Sequence, residues 1–458
     1  MQNIPYDKLR IGMEAGLNRV CRADDLYVFA NSSGNLNPMH LPKADGDGDG
    51  HPEALAPAMW LASLISAVLG GQLPGPGTRY HAQSLRFVGQ ARAGDTLTVG
   101  VRLIAKEADR LVRFQAWVDN DAGTRIVEGE TEVIAPDRSI RFDAGDVPGL
   151  TLQRHRHFDA LLERAEPLPA IATAVVAPEK PDALAGAILA AEHTLIEPIL
   201  IGHPDRIAEA AEAAAIDLGP YRLIEARDHR LAAQAAVRMV LDKQAAAVMK
   251  GHLHTDILLS EVLKREGGLR RGGRRLSHVF VMDVPGLEHL LMVTDAAINI
   301  TPDLTTKADI VQNAIDLARS LGIEQPKVGV LSAVETVNPA IPSTLDAAIL
   351  SKMADRGQIT GGLVDGPLAM DNAIDLAAAA TKGITSLVAG RAEILVAPNM
   401  EAGNMLAKEL TFLAQARAGG IVMGAKCPII LTSRSDDENS RLASCAIAAL
   451  NAANRGTA

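Results

Sequence analysis

The chain reads as two modules of different class, an α+β module over residues 1–136 and a larger open, mostly parallel α/β unit over residues 168–458. Two textures predict this. In the first region one apolar helical stretch, AMWLASLISAVL (Ala58–Leu69), precedes four runs with β-branched alternation: SLRFVGQ, DTLTVGVRLIAKEAD, RLVRFQAWVDN and TRIVEGETEVIAP. The turn signals AGD, ADR and NDAG punctuate them, the pattern of an antiparallel sheet packed on one helix. In the second region the short apolar runs IATAVVAP, EPILIG, YRLIEA, AAAVMKG, SHVFVMDV, PKVGVLSA, ITGGLVDG, AEILVAP and PIILTS alternate with Ala-rich helical stretches. Strands buried on both faces read in this way. Residues 137–167 lose any regular period and read as a linker carrying a short helix.

Length and composition narrow the function. At 458 residues the chain exceeds one ordinary core. No segment stays apolar and uncharged for the ~18 residues a membrane span needs, and the start, MQNIPYDKLR, lacks the apolar centre of a signal peptide. A cytoplasmic protein with no membrane partner is expected. Cys21, Cys427 and Cys445 are odd in number and far apart, so they read as reduced structural thiols. A formal charge of −10 repels a nucleic-acid backbone, and 3% aromatic residues are too few for a base-stacking platform. Small anionic ligands remain.

Ligands of open α/β sheets bind outside the carboxyl ends of the strands, so the residues just past each apolar run are the candidates. Lys250, Thr294, Asp295, Asn338, Asp365 and Asn404 stand there, and PIILTSRSDD adds Ser433, Arg434 and Asp436. Asp256, Thr344 and Asp371 serve equally well as helix caps. Serine next to arginine at a strand end places a hydroxyl and a bidentate cationic fork beside the free N–H groups of the next helix, which suits a phosphate or acyl-phosphate. The Gly-rich run GGLRRGGRRLSH, with Arg270, Arg271, Arg274 and Arg275, is either a solvated surface or a cradle for the phosphates of a nucleotide or coenzyme. Neither a P-loop nor a clean G-x-G-x-x-G is present, which disfavours ATP and NAD.

Two stretches of the first region carry their own chemistry. SSGNLNPMH (Ser32–His40) puts a turn, Asn35 and His40 close together. ADGDGDGHPE offers Asp45, Asp47 and Asp49 but lacks, at the required offset, the glutamate that closes a calcium loop, so no metal site is expected.

The stretches MKGHLHTDILL, RRLSHVFVMDV, VTDAAINITPD, NPAIPSTLDAAIL, DGPLAMDNAI, AEILVAPNMEAGNMLAKEL and PIILTSRSDD, in this order, resemble the phosphate acetyl/butyryltransferase family over residues 168–458. The resemblance implies two lobes, lobe I of about 168–275 plus 425–458 and lobe II of about 276–424, with the cleft between them. It implies reversible conversion of acyl-CoA and inorganic phosphate into acyl-phosphate and CoA, with CoA as co-substrate and no bound metal or redox cofactor. Ser433 and Arg434 match the family's Ser-Arg pair at the reacting thiol and phosphate. Lys250, Arg274, Arg275, Thr294, Asp295, Asn338 and Asn404 are then expected to bind substrate, phosphate or CoA. Some members place a general-base aspartate seven residues after the serine. Ser440 stands there here, which leaves Asp436, Asp437 and Asp365 as the candidates.

FANSSGNLNPMHLP, followed by AMWLASLISAVLGGQLPGPGTRYHAQSLRFVGQARAGDTLTV, is similar to the hot-dog MaoC-type enoyl-CoA hydratases over residues 1–136. Those enzymes carry an aspartate five residues before the histidine. This chain keeps Asn37, Pro38 and His40 but has Asn35 at the aspartate position, and Ala56, Pro57 and Ala58 where A-H-G is usual. An amide does not accept a proton during water attack, so the resemblance implies an acyl-CoA-holding or dimerising module with impaired hydration. Both families pair subunits, so a homo-oligomer is expected.

Overall fold

The structure, a computed structural model, describes residues 1–143, 145, 155–431 and 437–454. The chain divides into two compact units, Met1–Leu152 and Gln153–Ala458. The stretch read as a linker is therefore shared between them. Its helix α3 (Arg156–Ala165, in the chain-order numbering below) buries Phe158 and Leu161 in the core of the second unit.

The first unit has the hot-dog architecture. Strand β1 (Glu14–Val20) and helix α1 (Ala23–Ser33) precede the central helix α2 (Ala58–Gly71), and β2 (Arg79–Phe87), β3 (Thr96–Lys106), β4 (Leu111–Asp119) and β5 (Arg125–Ile134) complete a sheet of order β1-β3-β4-β5-β2. Every pairing is antiparallel. Helix α2 is apolar on nearly all sides because the curled sheet surrounds it: Trp60, Leu61, Ile65, Val68 and Leu69 pack on Leu97, Val99, Phe114 and Val133. The first strand and α1 were not visible as pattern, since β1 is exposed or half-exposed throughout.

The second unit continues from α3 through β6 (Ile171–Val176), α4 (Pro181–Glu192), β7 (Ile196–Gly202), α5 (Pro204–Ala214), β8 (Arg222–Glu225), α6 (His229–Leu241), β9 (Ala247–Lys250) and α7 (Thr255–Val262). A second run follows: β10 (Ser277–Asp283), β11 (Leu291–Thr294), α8 (Leu304–Ser320), β12 (Lys327–Leu331), α9 (Pro342–Asp355), β13 (Leu363–Leu368), α10 (Met370–Ile374), α11 (Leu376–Thr381), β14 (Ile394–Val396), α12 (Met400–Phe412) and β15 (Arg417–Met423). The chain then returns to the first run with β16 (Ile429–Ile430) and α13 (Glu438–Asn454).

All of these strands join one sheet, in the order β13-β12-β14-β11-β10-β15-β16-β9-β6-β7-β8. Most pairings are parallel, but β10 is antiparallel to both β11 and β15, and β15 is antiparallel to β16. These reversals have a consequence for site placement. Strands β6–β9 and β16 run one way and β11–β14 the other, so the loops after them leave in opposite directions, while the register sets the last residues of β11 and β14, Thr294 and Val396, level with Ile430 of β16 and Met249 of β9. The strand that produces the reversal, β15, escaped the sequence reading because RAGGIVM carries two glycines. Both are structural: a Cβ at Gly419 would lie 2.7 Å from Ile447 Cδ1, and one at Gly420 only 2.6 Å from the Leu431 carbonyl oxygen.

The two lobes show in the way the sheet is covered. On one face a single apolar core runs beneath α4, α8 and α13, joining Val175, Leu200 and Met249 to Val279, Met292 and Val328. On the other face the core is split. Val176, Ile201 and Val248 pack under α6 and α7, whereas Met282, Val293 and Leu395 pack with residues of α10, α11 and α12. A seam divides the two on this second face only. Among the described residues no helix is long and apolar enough to cross a membrane.

Candidate active site

In the first lobe the chain passes from β6 outward to β7 and β8, then returns to β9 on the other side of β6. The crevice between β6 and β9 is a topological switch point, where such sheets open for ligands. The loop after β9 is sewn to the loop after β6: Gly251 N–H donates to the Val176 carbonyl at 2.8 Å, and His252 N–H to the Ala177 carbonyl at 2.6 Å. The approach is so close that a Cβ at Gly251 would sit 2.5 Å from both of those carbonyl oxygens. Lys250, 4% exposed, ends β9 and donates from Nζ to the Gly251 carbonyl at 3.4 Å. Strand β16 lies against β9 in parallel, Ile430 opposite Met249, and so ends beside Lys250.

Ser433, Arg434 and Asp436 follow that strand end and lie outside the described residues. Asp437 is described: its Oδ1 accepts from Ser440 N–H at 2.8 Å, which caps the start of α13. Along the same edge Glu179 accepts from His203 N–H, Arg206 Nη1 and His229 Nε2, each at 3.1 Å. Burial pushes the Glu179 carboxyl up, but the His203, His229 and Arg206 donors outweigh it and hold the group below the usual carboxylate range.

Alternation along the strands puts Lys250 and His278 on the sheet face that carries the seam, since Val248 and Phe280 pack into the two separate cores there. His278, 1% exposed, is a site residue that sequence reasoning passed over. Burial depresses its pKa to about 4, against the opposing pull of Asp295 and a hydrogen bond to the Leu431 carbonyl. Its Nδ1 has no partner, so Nε2–H is the donor to Leu431. The ring is therefore neutral near pH 7. It braces the residue from which the Ser-Arg stretch departs.

Thr294, Asp295 and Asn404 come together around this histidine. Thr294 Oγ1 donates to the His278 carbonyl at 2.8 Å. The Asp295 Oδ1 accepts from the N–H groups of His278, Ala297 and Ile298 at 3.3, 3.0 and 3.1 Å, and Oδ2 from the Asn299 N–H and Nδ2 at 3.0 and 2.5 Å. Asn404 Nδ2 reaches the Ala296 carbonyl at 3.1 Å. These groups thus shape the loop after β11 and hold it to α12, with Gly403 allowing an approach in which a Cβ would lie 2.4 Å from the Asp295 carbonyl oxygen. With protein donors on both of its oxygens, Asp295 organises the loop.

Four other residues are not brought to this place. Asp365 lies on β13, the opposite edge strand, six strands from β16. At roughly 4.8 Å per strand that is about 29 Å, too far for a base acting beside Ser433. Asn338 precedes α9 at the same far end and turns its Oδ1 onto the Ala340 N–H at 2.9 Å. Arg274 pairs with Asp316 of α8 at 2.6 Å, beneath the face that lacks the seam. Arg275 offers its backbone N–H to Asp309 at 3.0 Å and leaves its side chain exposed. Asp365 and Asn338 are set apart by their lateral distance along the sheet, and Arg274 and Arg275 stand before β10 rather than after a strand.

In the first unit α1 ends at Gly34, which takes the left-handed conformation at φ 72°, and the chain turns into the 3₁₀ segment Pro38–His40. His40 Nδ1 lies 2.9 Å from the Leu55 carbonyl, so it carries the proton and leaves Nε2 as the acceptor. Asn35 Oδ1 accepts from Asn37 N–H at 3.3 Å. In the acidic loop Glu53, though not at the calcium-loop offset, reaches the aspartates. Carboxylate oxygens of Asp45, Asp47, Asp49 and Glu53 lie within 4.8 Å of one another, because Gly46 N–H binds Glu53 at 2.8 Å and folds the loop onto itself. The N–H groups of Gly50 and Gly48 already occupy Asp45 and lower its pKa.

Residues 225–449 match the family described as Phosphate acetyl/butaryl transferase. A phosphate acetyltransferase of Rhizobium meliloti is 54% identical over 301 residues, spanning 66% of this chain and 95% of that protein. Among solved structures, a branched-chain phosphotransacylase from Enterococcus faecalis V583 is 32% identical and covers 62% of this chain and 99% of its own, with a TM-score of 0.55. The N-terminal part is similar to the R-hydratase PhaJ1 from Pseudomonas aeruginosa, at 36% identity over 33% of this chain and 97% of that one, with a TM-score of 0.32.

Proposed function

This chain belongs to the phosphate acetyl/butyryltransferase family, and from that premise we infer that its second unit transfers a short acyl group reversibly between CoA and inorganic phosphate. A phosphate oxygen attacks the thioester carbonyl, the tetrahedral oxyanion collapses, the C–S bond breaks, and the CoA thiolate leaves and takes up a proton. In reverse the thiol gives that proton to a general base before attacking the acyl-phosphate carbonyl. Arg434 pairs with the phosphate and the oxyanion, and Ser433 donates to the reacting region. Asp437 is engaged in capping α13 and Asp365 lies at the far edge, which favours Asp436 as the base. Lys250 adds a buried cation one strand away. No covalent enzyme intermediate is required when both substrates are held together.

The observation that carries this reading is the placement of β16, which ends beside Lys250 at the switch-point edge, with Leu431 held by His278. The test is phosphate-dependent release of CoA thiol from acetyl-CoA and butyryl-CoA. Turnover with at least one short acyl chain is expected, and none with any of them would end the reading. The reduced, buried cysteines Cys21, Cys427 and Cys445 support a cytoplasmic setting. The exposed edge strand β2, with Phe87 and Val88 at the surface, supports a homo-oligomer.

For the first unit we propose an acyl-CoA-holding role without efficient water addition. The Leu55 carbonyl fixes the His40 ring, but an amide, Asn35, stands where the resembling hydratases carry a carboxylate. Crotonyl-CoA hydration should be weak in the wild type and rise in Asn35→Asp. If it does not rise, the loss extends to Pro57 and Ala58 or to the pocket.

A further inference from the structure

A cavity of about 310 Å³ opens on the sheet face opposite the seam, between α8, the end of α13 and the turn that joins β15 to β16. Arg271, Arg274, Asn313, Asp316, Gly424 and Asn451 are among its lining residues, and none of them has a part in the acyl-transfer site described above. Asn313 is 1% exposed. Its Nδ2 donates to the Arg275 carbonyl at 2.9 Å and to Ser277 Oγ at 3.0 Å, which fixes the amide orientation. Its Oδ1 is buried and has no hydrogen-bond partner. An atom so fully enclosed is out of a ligand's reach, so Asn313 serves the cavity by fixing the turn at Arg275 that forms its wall.

The charge asks for a ligand. Arg274 is matched by Asp316, whereas Arg271 makes no ion pair among the described residues, so the cavity keeps a net positive charge in a chain of formal charge −10. The turn packs tightly on the cavity wall: Gly424 has φ +89°, and a Cβ there would fall 2.4 Å from the Arg275 carbonyl oxygen and 3.0 Å from Asn313 Nδ2. An inorganic anion alone satisfies the arginines but leaves most of the volume unused. A volume at the low end of ligand pockets fits a compact molecule.

We propose that this cavity is a second ligand site, for a small organic phosphate of nucleoside monophosphate size whose organic part fills the volume while its phosphate meets Arg271 and Arg274. The site does not rest on the acyl-transfer reading. Calorimetric titration of the full chain with AMP, adenosine and inorganic phosphate tests both halves of the match. AMP should bind more tightly than either fragment. Arg271→Glu, at an exposed position that leaves the fold intact, should weaken AMP by about tenfold or more, the effect of losing one charge-assisted pair, while CoA titrated into the same variant binds as in the wild type. No heat with AMP, AMP binding unchanged in Arg271→Glu, or AMP and CoA weakened together would each overturn the proposal. The last outcome would assign the adenylate signal to the CoA site.

Discussion

Replacing Arg434 with alanine should lower kcat for phosphate-dependent release of CoA from butyryl-CoA by roughly 10²–10³, the usual cost of removing one donor aimed at a developing oxyanion. The effect should fall mainly on kcat, because the charge that Arg434 meets is greatest in the tetrahedral state. Lysine at the same position should recover only part of the loss, since an ammonium keeps the charge without the planar, bidentate fork. Arg434→Ala and Arg434→Lys are assayed at saturating phosphate and acyl-CoA. An undiminished rate in the alanine variant would remove Arg434 from the mechanism.

His278 should make the second unit acid-sensitive. Burial holds its pKa at about 4, below the ordinary value of 6.5, so the folded chain binds fewer protons at this site than the unfolded chain. Stability contributed by the neutral ring is therefore complete above pH ~6.5 and is lost as pH falls toward 4, by roughly 3 kcal/mol in total and about 2 kcal/mol by pH 5. Denaturant unfolding of the wild type and of His278→Gln at pH 7.5 and pH 5 isolates this contribution from that of the carboxylates. The variant should be less stable at pH 7.5, having lost the packed ring, yet show a smaller drop on acidification. Equal drops in the two proteins would show that His278 is not the titrating group.

Much of the architecture was legible in the sequence because burial has a period. The α2 run, strands β3, β4 and β5, and the apolar strands of the second unit all announced themselves in this way. What escaped were elements whose residues are not patterned by burial. Strand β1 is largely solvated, and β15 carries Gly419 and Gly420 where neighbouring atoms leave no room for side chains. Missing β15 had a large effect on the site, because this strand joins β10 to β16 and so fixes the strand order that sets lateral distances from β16. Without it, Asp365 and Asn338 read as companions of Ser433, although they stand at the far edge.

The site was therefore legible as chemistry and only partly as geometry. Ser433 and Arg434 stand out by type and position, and Lys250 falls at the end of β9 as expected. Thr294, Asp295 and Asn404 were recognised as polar strand-end residues, but their hydrogen bonds show them shaping a loop. His278 lies within RRLSHVFVMDV without standing out, since one imidazole in an apolar strand carries no distinctive spacing. The same is true of Glu53, whose approach to the three aspartates depends on a backbone N–H bond that no spacing rule anticipates.

The return of the chain at β16 also sets an order of events during synthesis. Strands β10 to β15 are contiguous in sequence and pair among themselves, whereas β9 gains its second neighbour only when β16 has been made. The lobe holding β6 to β9 likewise waits for α13, which closes the face that β15 and α4 share. A chain that stops before β16 would therefore hold one lobe with its strands paired and the other with an open strand edge at β9. The residues that mend it are the ones that flank the Ser-Arg pair.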